Sequence, residues 1–305
     1  MTNPAPSEST GTTPTLPVSF DPSYAVPDAT RERASDWSVT LDTITKSAEV
    51  AQLIGAHLSE RVRLVSPRPV TPETLALVHD PTYIARILTE KPEIVPSLLA
   101  STGGVLDAVD AALGNGYSGS LSSGIHHARR DSEAGFCHFN ALALACHHAI
   151  DHHGLRRVGV LDVDAHCGGG TFSLVGKRPD VWIADVSMHS FDSWSSDSDR
   201  HHFVVVREPD QYLKEVERAL DHLTGVNFVL VNAGVDVHEK AGTPSGIDTE
   251  TLVRREELIG EWLRSTDTLA AFVLAGGYSG PHFTITDVAQ LHLGIVRAFA
   301  DLVSR

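Results

Sequence analysis

The chain is expected to form one α/β domain, with a mostly parallel central sheet and helices on both faces. Three observations carry this expectation. Apolar runs of strand length alternate along the chain with segments of helical periodicity. Several of those runs are apolar at every position, as in strands covered by helices on both sides. Two of them, 158–164 and 228–236, end in acidic side chains, which is how an open sheet builds a ligand crevice at its carboxyl edge.

Residues 1–18 are rich in Ser, Thr and Pro and carry no basic segment followed by an apolar core. They read as a disordered lead-in and not as a signal peptide, with the domain running from 19 to 305. RVRLVS (61–66) is the first expected strand, followed by helices at 81–90, around 95–113, and at 139–154, where Gly154 closes the last turn. Strands follow at 158–164, 181–188 and 203–206, then a helix at 209–225 that ends on Gly225. A strand at 228–236, a helix at 248–265 with Asp248 as N-cap, a strand at 271–277 and a helix at 287–305 complete the alternation. No internal repeat interrupts it, and no linker follows residue 20.

Composition excludes several classes. With 305 residues and 42% hydrophobic content the chain can bury a sizeable core. A formal net charge of -15 disfavours nucleic acid and anionic membrane surfaces, whose phosphates would be repelled. The same charge suits cationic partners such as lysine-rich peptides or polyamines, although it also serves solubility. Cys137, Cys146 and Cys167 are odd in number and lack CxxC spacing, which argues against a disulfide scaffold. No stretch approaches the ~20 apolar residues of a membrane span. A cytoplasmic location is expected.

The chemistry concentrates in VLDVDAHCGGG (160–170). Asp162, Asp164 and His166 alternate there, and on a strand such positions share one face, so two carboxylates and an imidazole converge as a metal site would require. A lone Asp-x-His is as readily a hydrogen-bonded turn. The tandem His126-His127 and the acid Asp236, which ends its own apolar run, strengthen the metal reading.

In order along the chain, GIHHARRDSEAGFC, VLDVDAHCGGG, VSMH, VNAGVDVH and LAGGYSG resemble the histone deacetylase superfamily, including acetylpolyamine amidohydrolases and other microbial zinc deacetylases. LVHDPTYIARI (77–87) matches a His-x-x-x-Tyr segment that precedes the core in that family, and the resemblance spans about residues 60–290. It implies the arginase/deacetylase fold and the hydrolysis of an acetyl or related acyl group from an amine. The substrate could be an acyl-lysine peptide, a polyamine or a small metabolite, and oligomeric state is left open.

Position by position, the resemblance makes Asp164, His166 and Asp236 ligands of Zn2+, a set that also accepts Fe2+. It makes His126 and His127 the active-site histidines and Tyr278 the hydroxyl that caps the acyl oxygen. His127 would move the proton, with His126 as its electrostatic partner, oriented by Asp162. Gly135, Phe136 and Gly276 would line the substrate. Asp162, Asp164, His166, Ser187 and Met188 would surround a structural monovalent cation such as K+.

Three departures stand out. Gly169 occupies the position of the acid that normally backs His127, so a weakened base is expected, and with it a rival reading: a zinc-holding acyl-lysine binder that does not turn over. Cys167 replaces a second histidine and reads as a buried thiol. The stretch 190–203 lacks the family's Pro-Gly-Thr-Gly segment, leaving Phe191 or Trp194 to form the second substrate wall. His147-His148, His152-His153 and His201-His202 read as solvated surface pairs. His238, two residues past Asp236, raises a binuclear arginase-like ureohydrolase as a minor alternative.

Overall fold

The computed structural model describes residues 14–25, 38–243 and 245–303. Its strands are β1 (Leu16–Ser19), β2 (Val62–Val65), β3 (Tyr117–Ser123), β4 (Val158–Asp162), β5 (Val181–Ser187), β6 (His201–Val205), β7 (Phe228–Ala233) and β8 (Leu269–Leu274). They form one sheet in the order β2-β1-β3-β8-β7-β4-β5-β6, and every pair among the described strands is parallel. This is the parallel α/β sheet expected from the alternation, and it is consistent with the arginase/deacetylase fold that the resemblance implied.

The helices are α1 (Ser38–His57), α2 (Pro72–Leu75), α3 (Pro81–Glu90), α4 (Val95–Asn115), α5 (Ala141–His147), α6 (Gly169–Val175), α7 (Tyr212–His222), α8 (Thr249–Thr266) and α9 (Ile285–Val303). Alternate residues of one strand feed two separate cores, as the period of two demands. On β7, Val229, Val231 and Ala233 pack with residues of α1, α7, α8 and α9, whereas Phe228 and Leu230 pack with those of α3, α4 and α5. Asp80 and Asp248 cap α3 and α8 by accepting from the amides of Thr82 and Thr251, each at 2.8 Å. No helix of the described residues is long and apolar enough to cross a membrane.

The differences from the sequence expectation have identifiable causes. Leu16–Ser19, partly inside the expected lead-in of 1–18, is instead a strand between β2 and β3, with Leu16 and Val18 fully buried. Residues 1–13 fall outside the described residues. β3 reads YSGSLSS, too small and polar to register as a strand. It is tolerated in the sheet because its serines are satisfied locally, for example Ser120 with Ser122 at 2.9 Å. The helix expected at 139–154 is α5 followed by a π turn over His148–His152. The one expected at 209–225 opens with a 3₁₀ turn at Pro209–Gln211. β4 and β8 end at Asp162 and Leu274, so Asp164, His166 and Gly276 lie beyond the sheet rather than on a strand face.

One buried cation ties the loops beyond the sheet together. Arg255 on α8 is fully buried and donates to the carbonyl oxygens of Gly234 at 2.7 Å and Val163 at 3.1 Å, to Tyr212 Oη at 3.2 Å, and to Glu256 at 2.5 Å. It thereby clamps the segments leaving β7 and β4. Arg255→Met is expected to lower unfolding stability by about 3–5 kcal/mol, because Glu256 is left as an uncompensated buried charge. Urea unfolding followed by circular dichroism checks this, and a loss below 1 kcal/mol would refute it.

Candidate active site

Five strands that are adjacent in the sheet, β3, β8, β7, β4 and β5, deliver the polar groups to one carboxyl edge. His126 and His127 follow β3, Tyr278 follows β8, Asp236 follows β7, Asp164 and His166 follow β4, and Asp192 follows β5. These groups lie far apart in sequence. Parallel strands bring them together because all their ends point the same way.

Asp164, His166 and Asp236 form a cluster in which one ligand atom from each lies within 4.8 Å of the others. Backbone amides aim the two carboxylates: Gly276 N donates to Asp164 Oδ2 at 2.6 Å, His166 N to Asp164 Oδ1 at 2.9 Å, and Ala165 N to Asp236 Oδ1 at 3.0 Å. His166 Nδ1 stands 3.3 Å from Asp164 Oδ1 and 3.0 Å from Asp236 Oδ2. The second approach lacks hydrogen-bond alignment, and Asp236 Oδ2 is left buried without a donor.

Burial and the neighbouring Asp164 charge hold the Asp236 carboxyl above its usual range. His166 rises to about 10, because the pull of Asp164 and Asp236 outweighs its burial. Two carboxylate oxygens and one imidazole nitrogen crowded together, with Asp236 Oδ2 buried and without a donor, fit a divalent cation. Gly276 permits this crowding. A β-carbon there would run into Asp236 Oδ2 and stand 2.7 Å from Asp164 Oδ2.

Beside this cluster the two imidazoles lie next to each other, their ring centroids 4.0 Å apart and their planes tilted by 45°. His126 Nδ1 donates to Asp162 Oδ2 at 2.7 Å, His127 Nδ1 donates to Asp192 Oδ2 at 3.0 Å, and the two Nε2 atoms lie 3.1 Å apart. Burial works against a charge on His126, but Asp162 and Asp164 prevail and raise it to about 10. Burial and the positive charge of His126 push His127 below its ordinary value. The 3.1 Å contact between the Nε2 atoms fits one proton shared between the rings, with His126 the group that favours the charge and His127 the one that opposes it. Asn232 Nδ2 donates to Asp162 Oδ1 at 2.9 Å and completes the support of His126.

Asp192 corrects the expectation that His127 lacks a carboxylate. Gly169 is indeed without a side chain, but Asp192 reaches the same imidazole from the loop after β5. The observation that favoured a non-catalytic binder is thereby removed. No sequence signal marked Asp192, which sits in the Ser/Asp-rich run 190–199 among residues of the same type.

The remaining expected residues fall as follows. Phe136 is 56% exposed and Phe191 44%, and the Phe191 ring stands edge-on to His127 at 5.0 Å and to His166 at 6.1 Å. Gly135 lies directly against His127, where a β-carbon would meet the ring. Phe191, not Trp194, takes the place beside the histidines. Trp194 is stacked between Phe172 at 4.2 Å and Phe203 at 4.7 Å and donates to Asp185 Oδ2 at 2.7 Å. Tyr278 N donates to Ala241 O at 2.7 Å, and burial together with Asp236 and Asp164 raises its phenol well above the usual value.

Ser187 bonds Asp185, a carboxyl in register with Asp162 and pushed up to about 7 by burial and by the Asp162 charge. Met188 N donates to Ala165 O at 2.9 Å, which brings the expected cation-binding segment against the Asp164–His166 turn. Cys167 is a buried thiol donating to His189 O at 3.2 Å.

His238 turns away from the cluster. It contacts Thr249 Oγ1 at 3.1 Å and stacks on Phe283 at 5.4 Å, which removes the second ligand that a binuclear centre would need. The expected solvated histidine pairs are also more engaged than predicted. His148 and His153 both meet Asp110 Oδ1, at 2.5 and 2.7 Å, while Arg68 holds Asp110 Oδ2 at 2.7 Å. His201 and His202 belong to β6.

Two buried groups beneath the site escaped the sequence reading. Lys46 on α1 donates to Ala275 O, and burial lowers it to about 8 against the pull of Asp236 and Asp164. His292 on α9 has neither ring nitrogen bonded, and burial keeps it well below its normal value. Their helical faces gave no hint of this proximity. His79 and Tyr83 of the 77–87 segment brace the histidine loop instead: His79 Nδ1 donates to Arg129 O at 2.8 Å, and Tyr83 Oη to His138 O at 2.8 Å.

Comparison with known proteins bears on the family and the fold. Residues 40–195 match the family model described as the histone deacetylase domain. The chain is 25% identical over 260 residues to histone deacetylase 2 of Arabidopsis thaliana, covering 74% of this chain and 66% of that protein. It is 35% identical over 150 residues to the histone deacetylase-like amidohydrolase of Pseudomonas aeruginosa, covering 43% of this chain and 39% of the relative. Against the polyamine deacetylase HDAC10 of Mus musculus it is 30% identical over 151 residues, covering 41% and 22%. The matched stretch thus spans about two thirds of the first relative and less than half of the other two. In three dimensions the HDA15 HD domain superposes with a TM-score of 0.75 at 16% identity, covering 96% of this chain and 91% of that one, which bears on the fold.

Proposed function

Since the chain belongs to the histone deacetylase family, we propose that it is a metal-dependent amidohydrolase that removes an acetyl or related acyl group from an amine. The observation that carries the reading is the pair of imidazoles, each held through Nδ1 by its own carboxylate, beside the cation-fitting cluster of Asp164, His166 and Asp236. A binding module has no use for an imidazole that opposes a charge set beside one that favours it. Zn2+, or Fe2+ on the same ligands, would supply Lewis-acid polarisation of the acyl carbonyl and acidification of a water.

The chain's own groups do the rest. His127 Nε2 takes a proton from the attacking water and later gives it to the departing nitrogen, so that the C–N bond breaks to a free amine and a carboxylate. His126 stays protonated and steadies the negative charge that develops on oxygen. Tyr278 keeps its phenolic proton, because its pKa is raised, and donates to that oxygen. Phe136 and Phe191 would enclose an aliphatic chain at the mouth, and the acidic surface favours a cationic one. Acyl-lysine peptides and acetylated polyamines both meet that description, and relatives named polyamine deacetylases support including the latter. A monovalent cation such as K+ is proposed near Asp162, Ser187 and Met188, supported by the adjacent buried carboxyls of Asp162 and Asp185. Free cysteines suit a cytoplasmic location.

Acetate release from acetyl-lysine peptides, acetylated polyamines and small N-acetyl amines, using protein loaded with zinc or iron, tests the reading. Turnover is expected, and no release from any of them by protein carrying one bound metal would overturn it. Phe191→Ala and Phe136→Ala are each expected to raise KM about tenfold with little change in kcat, as loss of an apolar wall does. A fall in kcat at constant KM would place these rings elsewhere in the reaction.

A further inference from the structure

We infer that Asp192 is the positioning residue for His127, and that Asp192 and Gly169 form a matched pair in which the side chain missing from one position is supplied by the other. The inference rests on the reading of His127 as the proton carrier.

Asp192 is built into its place. It is almost fully enclosed, and its carboxylate accepts from His127 Nδ1 at 3.0 Å, from Gly170 N at 3.0 Å and from Arg129. The surrounding loop is pinned by Cys167 N to Phe191 O at 3.1 Å, Phe191 N to His189 Nδ1 at 3.1 Å, and Ser193 N to Ser190 O at 3.2 Å. Asp192 itself sits at φ 60°, a left-handed conformation that aspartate tolerates better than most residues. Held in this way, an acceptor on Nδ1 keeps that proton in place and leaves Nε2 as the basic atom.

The glycine is the other half of the arrangement. A β-carbon at Gly169 would run into the Asp192 carbonyl oxygen and stand 2.6 Å from its Oδ1. A side chain at 169 therefore collides with both the backbone carbonyl and the carboxylate of Asp192, and the 192 segment must shift before it can fit. An acid at both positions is sterically excluded, and an acid at neither leaves His127 without an acceptor. The loop that carries Asp192 also carries Phe191, so the group that orients the base and the ring at the mouth are consecutive residues on one segment.

The test uses the full-length, zinc-loaded protein with Asp192→Asn, Gly169→Asp and the double variant Gly169→Asp/Asp192→Gly. A glycine at 192 removes the carboxylate, adopts a positive φ freely and gives the backbone the freedom to turn its carbonyl oxygen off a side chain at 169. Zinc content, kcat and KM on the acylated amine that the native chain hydrolyses, and the Nδ1–H proton and nitrogen NMR signals of His127 are read for each.

Asp192→Asn is expected to keep its zinc and its KM while kcat falls about 10–100-fold, the usual cost of losing an orienting partner. The His127 Nδ1–H signal should shift upfield as its charged acceptor is lost. Gly169→Asp alone should lose activity through the collision, and the double variant should regain at least tenfold over it. Native kcat and an unmoved His127 signal in Asp192→Asn would overturn the inference, as would parallel loss of zinc and KM. A zinc-replete double variant no better than Gly169→Asp would overturn the exchange of positions. Should the native chain hydrolyse none of the acylated amines, the NMR comparison still decides the role of Asp192, and only the functional reading falls.

Discussion

Asp236→Ala is expected to abolish metal binding and to lower acetate release by ~10³-fold or more, since a bound divalent ion contributes several kcal/mol to stabilising the transition state. Asp236 supplies the one buried carboxylate oxygen in the cluster that has no hydrogen-bond donor, so it is the group whose environment is least complete without a cation. Its removal leaves Asp164 and His166, too few ligands for a tight site.

The variant should nevertheless fold. Asp164 and Asp236 are buried carboxylates that repel each other, which is part of why Asp236 is held above its usual range. Alanine ends that repulsion at the cost of the acceptor for Ala165 N. Metal-free variant and metal-free native protein should therefore melt within a few degrees of each other. Added zinc should raise Tm for the native chain and leave the variant unchanged, because only a ligand that binds the folded state stabilises it. Equal zinc-dependent stabilisation of both proteins would show that the metal sits elsewhere.

Tyr278→Phe is expected to reduce kcat by ~10²–10³-fold, the loss seen when one donor to a developing oxyanion is deleted. KM and zinc content should hardly change. The substitution removes one oxygen atom and leaves the ring, and the backbone remains tied through Tyr278 N to Ala241 O. Burial and the Asp236 and Asp164 charges hold the phenol well above its usual value, which favours the hydroxyl as a proton donor. Steady-state kinetics beside metal analysis separates the outcomes. Unchanged kcat would remove Tyr278 from the reaction, and a fall in zinc content would give it a structural role instead.

Much of this site was legible before any coordinates. Alternating apolar runs placed β4, β5, β7 and β8, and the residues just past three of those strands, Asp164, His166, Asp236 and Tyr278, were named from the motifs that end them. The resemblance of those motifs to a known family named the residues, and the parallel order of the strands explains why residues just past different strands meet at one edge. β1 and β3 were missed because four residues of strand, or a run of serines, carry too little apolar signal in isolation. Their burial comes from neighbours contributed by α1 and α4.

The sequence by itself determined the fold class and the carboxyl edge, which follow from local periodicity, while the candidate donors there were named through the resemblance of its motifs. Only the tertiary structure decided which loop side chains complete the site. It turned His238 to Thr249, stacked Trp194 between Phe172 and Phe203, set Phe191 beside His127, and brought Asp192 into the space left open by Gly169. The direction of a loop side chain depends on contacts with segments distant in the chain, and spacing along the sequence does not encode those contacts.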